Sequence, residues 1–420
     1  MKKMYWLLIL LAGKASAQTS TSLRLDEAYE KARKNYPLIQ QQDLLTKTSR
    51  LTIDNLSKAF LPQATLSGQA TYQSDVTQVK IPVPGVNIDP LNKDQYKVLA
   101  DINQLIYDGG VTRQQQQLQR LNNEVEQQKN EVELYKVKER INQLFLGVLF
   151  LEEQLKQVEL VKADLNIGIK RVEAQVNNGV AFRSNLNTLK AELLKTDQRV
   201  IELSASRKGL IDVLSLFTNT ELPENIRLEK PVAAYTNSGI ERPELQLYAS
   251  QEKFWQQQDK LITAKNLPRA SLFVQGGYGR PGLNFLNNDF AFFYTTGVRL
   301  NWSLAGLYSK KNDHQMAAIN KRLVTVQKET FLLNTNAALK QQQAEIDKLQ
   351  QLAATDAAII GLRENVKEAA RAQLENAVIT ASDYLREVNA EDQARQTLIT
   401  HQIQLLQAQI NYQTIAGKNK

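Results

Sequence analysis

The chain reads as mainly α with a small β part, built from one helical-hairpin/β-hairpin unit that occurs twice. Three observations carry this reading. The stretch Ala174-Gln-Val-Asn-Asn-Gly-Val180 returns as Ala372-Gln-Leu-Glu-Asn-Ala-Val378. Residues 91–222 and 307–416 contain no proline and hold apolar residues at helical spacing. Four shorter stretches alternate apolar and polar residues with the period of a strand.

Residues 1–17 read as a secretory signal peptide. Lys2 and Lys3 start it, 4–13 are its short apolar core, and Ala15-Ser16-Ala17 is a small-x-small cleavage site. That core is too short for a spanning helix, which needs about 20 apolar residues. No later segment is apolar enough, so any membrane entry must be by strands.

The first repeat is 18–217. Its opening helix begins near Leu25 and breaks at Asn35-Tyr36-Pro37, because an interior proline costs about 3 kcal/mol. The helix resumes to about Ala59 and ends at Leu61-Pro62. A β-hairpin, 63–106, follows. On its first strand Ala64, Leu66, Gly68, Ala70 and Tyr72 oppose Thr65, Ser67, Gln69 and Thr71. Residues 75–95, with Pro82, Pro84 and Pro90, read as a long loop. On the second strand Val98, Ala100, Ile102 and Ile106 oppose Lys97, Asp101 and Asn103, and Tyr107-Asp108-Gly109-Gly110 is a turn.

A long helical hairpin comes next, with its tip near 177–184. Leu144, Val148, Leu151, Leu155, Val158, Val161, Leu165, Ile169, Val172 and Val176 form a coiled-coil-type seam. The seam resumes past the tip at Leu186, Leu189 and Leu193. Residues 218–240, with Pro223 and Pro231, are a connector.

The second repeat, 241–417, has a helix, a β-hairpin at 269–303 and a long helical hairpin with its tip near 375–382. Pro37, Leu61, Pro62, Leu66 and Tyr72 match Pro243, Leu267, Pro268, Leu272 and Tyr278 at an offset of 206. Past the strands, Gln143, Gln175, Asn178 and Ser184 match Gln341, Gln373, Asn376 and Ser382 at an offset of 198. One shorter loop between strands explains the change, as duplicated folds tolerate. Tyr294, Val298, Leu300 and Trp302 share a face of the last strand, with aromatics near its ends as in an interfacial belt.

Four strands are too few to close a membrane barrel, since the smallest have about eight. An open edge in lipid leaves backbone groups unpaired at several kcal/mol each. Copies of the chain must therefore share a barrel. A helix over 111–176 would reach roughly 100 Å, and the shorter helices about half of that, so two short ones match one long one end to end. A barrel of strands can then continue into a barrel of helices. The number of copies stays open on these grounds.

Several short motifs recur in order. They are Leu25-x-x-Ala28 leading to Asn35-Tyr36-Pro37-Leu38, Glu241-Arg242-Pro243-Glu244-Leu245, and Leu61-Pro62 and Leu267-Pro268 before strands. Leu105-Ile106-Tyr107-Asp108-Gly109-Gly110 and the two tips complete the set. Together with the duplication and the signal peptide, these resemble the TolC-type outer-membrane efflux protein (outer membrane factor) family over essentially the whole mature chain. The resemblance implies a homotrimer, with four strands per chain in a shared 12-stranded outer-membrane β-barrel continued by a periplasmic α-helical barrel. It implies an exit duct of a tripartite efflux pump, passively exporting small molecules. The implied partners are a periplasmic adaptor (membrane fusion) protein, an inner-membrane transporter and outer-membrane lipid.

The resemblance also places site residues. In the family a Gly at the tip is followed six residues later by an Asp, which in the second repeat lines the narrow entrance. Here Gly179 is followed by Asn185, and Ala377 replaces the second Gly while Asp383 keeps the carboxylate. Arg386 stands where some members have a second Asp, and Leu374 and Ile379 occupy the places of a Tyr and an Arg that latch the entrance. Asp383, Arg386, Asn185 and Ser184 are the candidate pore-entrance residues. Gly179, Val180, Ala377 and Val378 are the candidate adaptor-docking residues of the tips. Read without the resemblance, Asp383 is a residue at a helix start, favoured there by the helix dipole, and Arg386 a surface ion-pair partner.

Other classes fit less well. His314 and His401 are the two histidines, and no phosphate-cradling loop, nucleophile elbow or metal-spaced set accompanies them. No catalytic, cofactor or metal residues are expected, and Glu and Asp read as solvated charge on helix faces. Cysteine is absent, so neither disulfides nor thiolate metal sites form. The net charge is +8, or +5 without Lys2, Lys3 and Lys14, and no basic stripe with interleaved aromatics points to nucleic acid. Two alternatives stay open: a type I secretion exit duct for polypeptides, and a secreted structural coiled-coil scaffold.

Overall fold

A computed structural model of the chain describes residues 22–78, 90–232, 239–284 and 286–418. The signal peptide, the centre of the loop at 75–95 and part of the connector at 218–240 lie outside the described residues. The elements are β1 (Ser22–Leu23), α1 (Leu25–Asn35), α2 (Ile39–Ser57), β2 (Gln63–Tyr72), β3 (Asp94–Tyr107), α3 (Val111–Asn177) and α4 (Arg183–Thr218). They continue with β4 (Arg227–Leu228), α5 (Pro243–Lys265), β5 (Arg269–Arg280), β6 (Ala291–Asn301), α6 (Gly306–Glu375) and α7 (Ala381–Ala416). The sequence helix, strand, strand, long helix, returning helix thus runs twice. The break expected at Pro37 separates α1 from α2, and Pro243 opens α5 at the one helical position where its missing N–H costs nothing.

The chain forms two compact units, each drawing on both repeats. The helical unit takes the described residues up to Ile39, Glu133–Arg242 and those from Asn334. The other takes Gln40–Val132 and Pro243–Leu333 and holds the large sheet.

In the helical unit the seam of α3 is the core. Ile141, Leu144, Phe145 and Val148 are buried with Ala28 and Ala32 of α1, Ile211 and Leu214 of α4, and Ile403, Leu406 and Ile410 of α7. Nearer the tips, Val161, Leu165, Ile169 and Val172 pack with Leu186 and Leu189 of α4, Ala370 and Leu374 of α6, and Tyr384, Leu385 and Val388 of α7. Each of the larger side chains, the Val, Leu, Ile and Phe, contributes about 1.5–3 kcal/mol by leaving water. β1 and β4 pair in parallel, Leu23 opposite Leu228, and both leucines join the core. A two-residue strand has no period, so the sequence pattern did not announce it. The reading of all acids as solvated charge needs correction: Glu391 and Asp356 are buried, as is Lys367. Helical spacing identifies a polar face but not the helix that covers it.

In the other unit β2-β3-β5-β6 form an antiparallel sheet in that order. Its register aligns the apolar alternation across all four strands. Leu66, Ala100, Gly276 and Tyr294 make one row, and Ala64, Ile102, Val274 and Thr296 the next. Gly68, Val98, Tyr278 and Phe292 make a third. The face is open to solvent: Leu66 is 76 % and Phe292 86 % exposed. Alternate rows carry Thr65, Asp101, Gln275 and Thr295, with Gln275 donating to Asp101 at 2.6 Å. Among the described residues β2 and β6 each pair on one side, so the sheet has two free edges. On α6 of this unit, Met316, Ile319, Leu323, Val326 and Leu333 keep a three-four spacing and are exposed. This is a second coiled-coil seam with its partner side uncovered.

The turn before α3 has a physical basis. The Asp108 carboxylate accepts from the backbone N–H of Gly110 at 2.8 Å and of Thr112 at 2.6 Å, capping the helix. Gly109 has φ +74°, and a Cβ there would lie 2.8 Å from Leu267 Cβ and 2.9 Å from the Ala264 carbonyl. Two separated motifs, Asp108-Gly109-Gly110 and Leu267-Pro268, are therefore one contact. Gly109→Ala is expected to destabilise this unit by about 2–4 kcal/mol, left-handed strain and overpacking together, seen as a lower unfolding temperature.

Candidate duct entrance at the helical tips

The two tips repeat each other down to single hydrogen bonds. In the first, Asn178, Gly179 and Val180 donate their amides to the carbonyls of Ala174, Val176 and Gln175. In the second, Asn376, Ala377 and Val378 donate to Ala372, Leu374 and Gln373. Both are Schellman-type helix ends, which need a left-handed residue after the last turn. Gly179 takes it at φ +74° and Ala377 at φ +55°. Ala377 thus holds the glycine conformation without being glycine. Val180 and Val378 are exposed at the tips, as is Phe182, the residue before α4.

The tips lie side by side within the chain. Gln175 Nε2 donates to the Leu374 carbonyl at 2.7 Å, and Arg171 pairs with Glu375 at 3.2 Å. The expected entrance residues follow each tip. Ser184 and Asn185 lie in the first turn of α4, where the Ser184 carbonyl accepts from Thr188 Oγ1 and the Asn185 amide donates to the Phe182 carbonyl. Asp383 forms a capping box with Thr380: its amide donates to Thr380 Oγ1, and its carboxylate accepts from the Thr380 amide at 3.1 Å. The Thr380 hydroxyl donates to the same carboxylate at 2.7 Å. These hydrogen bonds, helped by nearby Arg386, hold the Asp383 carboxyl below its ordinary range, so it stays charged at any physiological pH. Arg386 stands 3.8 Å from Asp383 and makes the shorter pair, 3.0 Å, with Glu387. The helix cap and a standing negative charge beside this tip are therefore compatible. The places of the implied latch hold a buried Leu374 and a half-buried Ile379.

A charged cluster that the sequence reading did not single out lies deeper in the bundle. Lys367 of α6 reaches Asp164 of α3 at 2.8 Å and Glu391 of α7 at 2.9 Å. Glu391 also pairs with Arg395 at 2.5 Å. Burial pulls the Lys367 ammonium down, but the bonds to Asp164 and Glu391 outweigh it and leave it raised. Burial pushes Glu391 up, and its bonds to Lys367 and Arg395 leave it lowered. Both groups are therefore charged across the physiological range. Beside them, burial pushes the Tyr384 hydroxyl up to about 12. One helical step along, burial raises Asp392, which accepts from Gln157 at 3.1 Å with Arg199 at 3.6 Å. The signal was available: Lys367 lies one heptad after Ile360 and one before Leu374, both buried.

The two histidines each pair with one aspartate, His314 with Asp259 and His401 with Asp356. Among the described residues no group of three or more His, Asp or Glu could hold a metal ion, and no helix is long and apolar enough to cross a membrane.

The described chain combines an antiparallel sheet with an apolar exposed face and two pairs of long helices. No family model and no curated protein matches the sequence. Solved structures do. The CusC channel superposes with a TM-score of 0.68 at 13 % identity, covering 93 % of this chain and 91 % of that one. The Campylobacter jejuni CmeC outer membrane channel gives 0.63 at 12 % identity, covering 94 % and 86 %. The open state of the Neisseria gonorrhoeae MtrE outer membrane channel gives 0.66 at 13 % identity, covering 94 % and 90 %. The chain has the fold of these channels over nearly its full length, and the TolC-type likeness expected from its motifs is borne out as a fold.

The strain at the second tip makes a testable difference between the repeats. Ala377→Gly is expected to stabilise its tip by about 1 kcal/mol, and Gly179→Ala to destabilise the other by about the same. Amide hydrogen exchange in the flanking helix ends measures both.

Proposed function

We propose that the chain is the outer-membrane exit duct of a tripartite efflux pump, acting as a homotrimer with a periplasmic adaptor and an inner-membrane transporter. The sheet carries this reading. Its strands have 10, 14, 12 and 11 residues, enough to cross a bilayer at a tilt. One face is apolar and exposed across all four strands, and among the described residues both edges are free. In lipid those edges need partners, and three copies would supply a 12-stranded ring.

The helices support the same assembly. The exposed seam at Met316, Ile319, Leu323, Val326 and Leu333 needs a second helix, as do Leu194 and Ile201 on α4. A helical barrel made by neighbouring copies provides it. The protein would then sit in the outer membrane and reach into the periplasm, with the two tips as its far end. Asp383 would ring the entrance with carboxylates held charged by Thr380, attracting cations, while Arg386 tempers the field. Gly179, Val180, Ala377 and Val378 would meet the adaptor. Export of small molecules is driven from the inner membrane, since no nucleotide-binding loop occurs in this sequence.

Purified protein in planar bilayers tests the reading. It is expected to run as a heat-sensitive trimer and to conduct as a stable aqueous channel blocked by multivalent cations. Asp383→Ala should weaken that block. Because the Asp383 carboxyl lies low, the wild-type block should persist as pH falls through the ordinary carboxylate range. Absence of any channel would defeat the duct, and an unchanged block would remove Asp383 from the entrance.

A further inference from the structure

The face of the sheet opposite the apolar one carries two aromatic rings that its polar alternation does not require. In the register of β5 and β6, Phe273 stands across from Gly297, and Phe293 across from Gly277. Each ring lies down over its glycine. A Cβ on Gly297 would sit 3.2 Å from the Phe273 ring, and one on Gly277 would sit 2.7 Å from both the Phe293 ring and the Leu99 side chain. Both phenylalanines are half-buried, whereas Phe292 on the apolar face is 86 % exposed. The glycines therefore create two flat apolar platforms. The row of Thr65, Asp101, Gln275 and Thr295 runs between them. The platforms are four residues apart along the strands, about 13 Å.

A cation accompanies each platform. The Arg299 guanidinium lies over the Phe273 ring, 4.6 Å from its centroid. Lys97 belongs to the row next to Phe293, and its stem crosses Gly279, where a Cβ would lie 2.9 Å from Lys97 Cγ. Neither cation has an ion-pair partner among the described residues. Arg269 stands in the row beyond Arg299. On these four strands the face holds three cations, Lys97, Arg269 and Arg299, against one carboxylate, Asp101, which accepts from Gln275 at 2.6 Å. Covering a cross-strand glycine stabilises a sheet in any protein. That accounts for the rings but not for a cation beside each.

A flat aromatic ring stacks on a phenylalanine face or on a guanidinium plane, and an anionic group on the same molecule takes the neighbouring cation. A cationic aromatic gains the stack but meets like charge. A small anion gains the charge but has nothing to stack.

We propose that this face is a transit site for flat aromatic anions. The aromatic body stacks on Phe293 or on the Arg299–Phe273 pair, and the anionic group is held by Lys97 or Arg299. The proposal rests on the duct reading above, because a lumen puts this face in the path of cargo, and it names a substrate class for that duct.

The test is single-channel current through the purified protein in planar bilayers, with three probes added in turn to each side. They are 2-naphthalenesulfonate, methanesulfonate, which has the charge without the ring, and a naphthyl ammonium, which has the ring with the opposite charge. In the wild type, 2-naphthalenesulfonate is expected to block at a concentration at least tenfold lower than either of the others. Lys97→Gln with Arg299→Gln should abolish its advantage over the ammonium. Phe273→Leu with Phe293→Leu should shrink its advantage over methanesulfonate severalfold. Equal block by all three probes in the wild type, or an unchanged preference in the glutamine variant, would overturn the site and leave the duct standing. Should the leucine variant fail to assemble, those two comparisons still decide. A wild type that forms no channel would overturn the duct and this proposal together.

Discussion

Every level of this structure returns to one unmet requirement: an antiparallel sheet with, among the described residues, two unpaired edges and an uncovered apolar face. Water satisfies the edges but penalises the face; lipid satisfies the face but penalises the edges. The face is continuous only because the register of β2, β3, β5 and β6 brings Leu66, Ala100, Gly276 and Tyr294 into one row. A shift by one residue turns a strand's other face into that row, bringing in Asp101, Gln275 or Thr295 when it runs one way. The proposed ring of copies is the arrangement in which both requirements are met at once.

The duplication gives each unit two similar parts, and the differences between them are informative. Both tips use the same three backbone hydrogen bonds, yet one closes on Gly179 and the other on Ala377. Before α7 stands Thr380, which caps its helix; before α4 stands Phe182, which makes no side-chain cap. The carboxylate held by a cap is therefore present after one tip alone. The proposed entrance charge falls on α7, in the second repeat.

Much of the fold could be read from residue spacing. Strand alternation located β2, β3, β5 and β6 within a few residues, and the seam of α3 named Leu144, Val148, Val158, Leu165 and Val172, all buried. Glycine and proline placed the turns. What escaped had no periodic signature or depended on long-range partners. β1 and β4 are two residues each. Asp108 and Gly109 had to meet Leu267 before their roles were visible. Lys367, Asp164 and Glu391 are separated by many turns of helix, and only folding shows that their charges share one buried space. The uncovered seam on α6 has an ordinary coiled-coil spacing, and its missing partner is evident only once its own chain leaves it bare.

The most direct measurement of the central claim uses the absence of cysteine from the chain. One cysteine placed in β2, combined in turn with single cysteines along β6, can be oxidised in isolated outer membranes and resolved on a non-reducing gel. The account predicts a disulfide ladder at one register that ends at three copies. Failure to cross-link at every register, or a ladder running past three, would contradict it.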